Sequence, residues 1–129
     1  MRFRATVVLL AVAFAGCGSE QDDAADVTRS FLRAVAAQNA QAACGELARS
    51  TRKKLEKDEM SPCPEALETV GISGEREVTG SDVFGTAAVV SLSGGEYAFL
   101  DRTPEGWRIS AAGCRPAGPE EPYDCELES

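Results

Sequence analysis

The side chains best placed to do chemistry in this chain are five cysteines, Cys17, Cys44, Cys63, Cys114 and Cys125, in a sequence without a histidine. Lacking imidazole, the chain has no residue of the type most used to move protons near neutral pH or to ligate transition metals. No two of the cysteines have the C-x-x-C spacing of a zinc site, so no metal and no cofactor is expected. What remains is sulfur chemistry of the disulfide and acylation kinds. Five is an odd number, and an unpaired thiol in an exported chain needs a purpose of its own.

Cys17 has such a purpose in its surroundings. Arg2 and Arg4 are followed by the apolar run "ATVVLLAVAFAG", and the chain turns acidic and polar immediately after the cysteine. A positive end followed by about a dozen apolar residues has the form of a secretory signal, and falls short of the roughly 20 residues of a membrane-spanning helix. Phe14-Ala15-Gly16-Cys17 resembles the bacterial lipobox, with Phe14 where that motif usually has leucine. The resemblance implies that residues 1–16 are a lipoprotein signal peptide and that Cys17 becomes a diacylglyceryl cysteine at the mature N-terminus. At about 0.8 kcal/mol per buried methylene, two acyl chains hold a small protein at a membrane where one does not. The expected location is the outer side of the cell membrane.

Taking Cys17 out leaves Cys44, Cys63, Cys114 and Cys125, which allow three pairings. We favour Cys44 with Cys63 and Cys114 with Cys125, since each pair is close in sequence and ties a weakly organised segment to a better one. The chain-entropy account credits each such loop with about 3 kcal/mol, a large share of a small domain's stability. An oxidising compartment lets both bonds persist.

Charge excludes one class of partner. All 21 acidic residues follow Cys17, against 11 of the 13 basic ones, so the mature body carries about −10. It repels phosphate backbones, and no nucleic-acid partner is expected. Arg49, Lys53 and Lys57 share one side of a helix at i, i+4 and i+8, either as a contact for anionic lipid or wall polymer or as a solvated face; the second is the commoner meaning of such a run.

These residues need elements to hold them. After a tether over 17–23, Val27, Phe31, Ala34, Val35 and Gln38 recur at helical spacing, with Asn39 expected to take the left-handed turn that stops the helix. A second helix is expected over 41–47, presenting Ala43, Cys44 and Leu47, then "RSTRKKLEKDE" as a third helix or as an extension of the second, and a short one opened by Ser61-Pro62. From residue 75 the pattern becomes strands: "REVTG", "TAAVVSL", "EYAFLDR" and "WRISAA", with turns at Gly80-Ser81-Asp82, Gly94-Gly95 and Pro104-Glu105-Gly106. Residues 114–129 carry three prolines and are expected to be an irregular tail closed by the Cys114–Cys125 loop, with Tyr123 over a sheet edge. The fold class is therefore α+β: N-terminal helices packed on a curved antiparallel sheet of about four strands, one domain over 24–113 plus the tail.

That order, with "SFLRAVAAQNAQAACGEL", "GGEYAFLDRTPEGWRISAAGC" and "YDCELES", resembles small lipoproteins of actinobacterial type with an NTF2-like (SnoaL-like, cystatin-like) cone domain, over about residues 24–127. The resemblance implies a sheet curled round the first helix. By strand and helix parity Phe31, Val35, Tyr97, Phe99 and Trp107 would line a pocket there, or fill it as core. The same cone serves enzymes, adaptors and ligand binders. The expected function is that of a membrane-anchored extracytoplasmic lipoprotein: a non-enzymatic accessory or binding domain for a protein partner or a small apolar ligand. The alternatives are an isomerase-type enzyme of the ketosteroid or SnoaL kind, with Asp101 as base and Tyr97 beside it, and a structural envelope spacer.

Overall fold

The computed structural model describes residues 19–120 and 122–129; the signal segment and Cys17 lie outside the described residues. Four helices come first: α1 (Ser19–Ala36), α2 (Ala40–Gly45), α3 (Arg49–Glu59) and α4 (Cys63–Thr69). Five strands follow: β1 (Val78–Phe84), β2 (Ala87–Leu92), β3 (Glu96–Thr103), β4 (Gly106–Pro116) and β5 (Tyr123–Glu128). They form one antiparallel sheet in chain order. The α+β class and the helices-first order match the sequence expectation; the strand number is five, not four.

The fifth strand comes from the tail expected to be irregular. Its prolines, at 116, 119 and 122, all precede Tyr123 and leave "YDCELE" free to extend. Cys125 of β5 stands directly opposite Cys114 of β4, and Leu127 is buried. A second difference concerns Gly80-Ser81-Asp82. These lie inside β1, where Ser81 and Asp82 pair with Val90 and Val89. The turn falls instead at Gly85-Thr86, where Gly85 takes φ +62° and Phe84 pairs with Ala87. A two-residue hairpin needs such a positive φ, and Gly85 supplies it without steric cost.

The helices show two further departures. The segment from Ser19 to Asp23, expected as tether, is already helical, with Glu20 and Asp22 in the first turn of α1, where carboxylates oppose the helix dipole. At the other end it is Gln38, at φ 57°, that turns left-handed. Asn39 serves the next helix instead, since its side-chain oxygen accepts from the N–H of Ala42 and caps α2.

The core lies between α1 with its companion helices and the inner face of the sheet. Ala24, Thr28, Phe31 and Leu32 of α1 are buried, as are Val90, Leu100, Trp107 and Ile109 of the sheet. Thr28 satisfies its hydroxyl by donating to the Ala24 carbonyl. Burying a side chain such as Phe31 stabilises by about 1.5–3 kcal/mol. The α2–α3 connector closes the remaining gap: Leu47 runs parallel beside Ile109, where β4 extends past the end of β5. No described helix is long and apolar enough to cross a membrane.

Candidate functional site

The four cysteines of the body are all paired, Cys44 with Cys63 and Cys114 with Cys125. The first bond joins α2 to the start of α4, with both residues buried, and the second joins two facing strands. Among the described residues, no group of three or more histidine, cysteine or acidic side chains is placed to hold a metal ion.

The five residues expected to line a pocket do not converge. Phe31 and Trp107 are packed in the core, while Val35, at the end of α1, lines an open cleft of about 540 Å³ together with Gln38, Leu67, Val70 and Ile72. Tyr97 and Phe99 lie on the opposite side of the sheet, because the inward positions of β3 are Glu96, Ala98 and Leu100. Alternation fixes which residues share a strand face, not which face turns inward. On the outer face Tyr97 and Phe99 meet Tyr123 edge-on, with ring centroids 5.4 and 4.8 Å away. Tyr123 thus covers an aromatic pair rather than a bare strand edge.

Asp101 and Tyr97 do share this outer face, but Asp101 is exposed near the end of its strand and the Tyr97 ring is turned to Tyr123. Asp101 instead lines a second open cleft, of about 560 Å³, where the β3–β4 hairpin meets the start of α3. Arg49, Arg52 and Arg108 line the same cleft, and so does Glu105. Arg108 stands opposite Asp101 in the strand register. Helix α3 begins at this cleft with Ala48 as its cap residue, which has no side-chain acceptor, and with no acidic residue in the first turn. Lys53 and Lys57 continue along the exposed side of the helix. On another side of it Lys54 holds Asp58 at 2.7 Å, a hydrogen bond and attraction that raise the lysine above its ordinary value of 10.5.

Sequence reading misses one charged cluster. Glu96 is buried, and its Oε2 lies 3.2 Å from Arg76 Nε and 3.4 Å from Arg115 Nη2. The signal for it is the parity of β3: once Ala98 and Leu100 turn inward, so does Glu96, and a buried carboxylate needs cationic partners. The cleft at Arg49, Arg52 and Arg108 joins residues from α3 and β4 that are far apart in the sequence, and no local pattern marks it.

No protein-family model matches the chain, and no curated protein and no solved structure matches it.

Proposed function

We propose that this chain is a membrane-anchored extracytoplasmic lipoprotein whose folded body is a non-enzymatic accessory or binding domain. The observation that carries the reading is the cysteine count: the body uses its four cysteines in two disulfides, and the fifth is Cys17, directly after Phe14-Ala15-Gly16 and a signal-like apolar run. An acylated sulfur accounts for the odd number, and disulfides fit the compartment an exported protein enters. The helices-first order, with α1 laid against the sheet, supports an NTF2-like cone. Phe31 and Trp107 fill the interior, which favours a protein partner over a ligand enclosed in the cone; the outer face around Tyr97, Phe99 and Tyr123 is the surface such a partner would use.

The test is metabolic labelling of producing cells with a radioactive fatty acid. The native chain takes up label and partitions with the membrane, and the Cys17→Ala chain does neither. Equal labelling of the two, or mass spectrometry that finds the Cys17 thiol unmodified, overturns the reading.

A further inference from the structure

We propose that the end of the domain built from the start of α1, the β3–β4 hairpin and the start of α3 rests on an anionic lipid surface, with Arg49, Arg52 and Arg108 turned to lipid phosphates. The inference rests on the anchor reading of Cys17 and adds to it the orientation of the body.

The first observation is the distribution of unpaired charge. Among the described residues Arg29, Lys54, Arg76, Arg102 and Arg115 each have a carboxylate within ion-pair distance. The described cations without one are Arg33, Arg49, Arg52, Lys53, Lys57 and Arg108. Five of these six belong to α3 or to the strand position beside its start. In a body of about −10 this is where cations gather without a direct ion pair.

The second observation is the length of chain to the anchor. Helix α1 starts at Ser19, two residues after Cys17, and Glu20 forms an ion pair with Arg102. Arg102 lies between Asp101 and Thr103, both of which line the arginine cleft. Two residues of extended chain span at most about 7 Å, so an acylated Cys17 holds the start of α1 within about one Debye length of the headgroups. The helix start and the hairpin tied to it by Arg102 then have little room to turn away.

Asp101 and Glu105 line the cleft as well and offset two of its three arginines. The surplus is too small to draw the protein from solution onto a membrane. An anchored chain needs much less, since its local concentration at the surface is already high and only the orientation has to be selected.

The test uses the full lipidated chain in vesicles of phosphatidylcholine alone or of equal parts phosphatidylcholine and phosphatidylglycerol, with acylation of Cys17 first read by mass spectrometry. Amide hydrogen exchange over residues 49–53 and 101–108 is expected to slow by about threefold or more on the anionic vesicles, and high salt is expected to remove the difference. The Arg49→Gln, Arg52→Gln, Arg108→Gln triple variant should lose the difference while staying anchored, and the matching lysine triple variant should keep it. Equal exchange on both vesicle types with Cys17 acylated overturns the orientation and leaves the anchor standing. An unacylated Cys17 removes both. The same protection from inorganic phosphate without vesicles overturns the surface contact in favour of a discrete anion site.

Discussion

Leu47, in the connector between α2 and α3, lies parallel to Ile109 of β4 and extends the sheet at a position that β5 does not reach. The two neighbours of Leu47 make the bonds: Ile109 donates its N–H to the Glu46 carbonyl, and Ala48 donates its N–H to the Ile109 carbonyl, each at 2.8 Å. One residue on, the Thr51 hydroxyl donates to the Ser110 carbonyl, at the place where the β3–β4 register slips. The helical layer is thus sewn to an otherwise open strand edge by backbone groups, which is how proteins protect such edges.

The Ala48→Pro variant tests this stitch with little other disturbance. Ala48 sits at φ −61° and ψ 147°, within the range proline prefers, so the substitution removes the N–H without straining the backbone. The Ile109 carbonyl is then left buried without that partner, a loss of about 1–3 kcal/mol. Urea unfolding is the measurement, and a midpoint equal to the native one would show that the bridge contributes nothing.

The two disulfides close loops of similar size, with sequence separations of 19 and 11, and the chain-entropy account gives each about 3 kcal/mol. Their surroundings differ. Cys44 and Cys63 are both buried between helices, and α2 has only six residues to hold it in place otherwise. Cys114 and Cys125 lie in a strand pair that also has its ladder of hydrogen bonds. Replacing Cys44 and Cys63 by alanine is expected to cost at least as much as replacing Cys114 and Cys125, with hydrogen exchange rising over α2 and α4 in the first case and over β5 in the second. Uniform exchange changes across the domain in both variants would contradict this division.

Gly74, in the connection between α4 and β1, lies against the last turn of α1. A Cβ there would fall 2.4 Å from the Ala36 nitrogen and 2.7 Å from the Leu32 carbonyl oxygen, both backbone atoms that cannot swing aside. Gly74→Ala is therefore expected to destabilise by about 1–3 kcal/mol, the range for overpacking a close contact. Gly71 three residues earlier has nothing within 4 Å of the same position, and Gly71→Ala is expected to be neutral or to stabilise by about 0.4–1 kcal/mol through the unfolded chain. Thermal unfolding of the two variants side by side decides between these outcomes; equal shifts would mean that the contact at Gly74 relaxes freely.

The pattern of legibility follows from what periodicity encodes. The stretch from Arg49 to Glu59 reads as helical because no glycine or proline breaks it, either as a third helix or as an extension of the second, and in the structure it is a separate helix with these bounds. Two of the three expected turns also hold, with Gly94 and Gly95 at positive φ and Thr103 paired with Gly106 across Pro104-Glu105. The misplaced turn at Gly80-Ser81-Asp82 shows the limit: turn-forming residues also fit an edge strand, and the two-residue hairpin at Gly85 competes successfully. Parity groups Tyr97 and Phe99 correctly with each other and sets them on the wrong side, since nothing local says that Ala98 and Leu100 meet the helices. The arginine cleft and the partners of Glu96 depend on register and on packing between elements; the parity of β3 gives only the side of the sheet that Glu96 shares with Ala98 and Leu100.

Glu96 offers the sharpest test of that cross-strand placement. Its carboxylate gathers Arg76, which precedes β1, and Arg115, near the end of β4, while Arg115 also donates to the Gly94 carbonyl at 3.1 Å. The Glu96→Gln variant keeps shape and volume and removes the charge, so two guanidiniums are left facing one another at the β2–β3 turn. Breaking a fully buried pair costs about 3–5 kcal/mol. Here the arginine side chains are 30% and 52% exposed, and water takes up part of the unbalanced charge, which reduces the expectation to about 1–3 kcal/mol. Adding Arg115→Gln to the Glu96→Gln chain should recover part of that loss, because the repulsion goes with the second charge. Denaturant unfolding of the single and double variants measures both steps. If the double variant is less stable than Glu96→Gln alone by the full cost of Arg115→Gln in the native chain, the two side chains are uncoupled and the register that brings β3 and β4 together at this end is not what holds Glu96 in place.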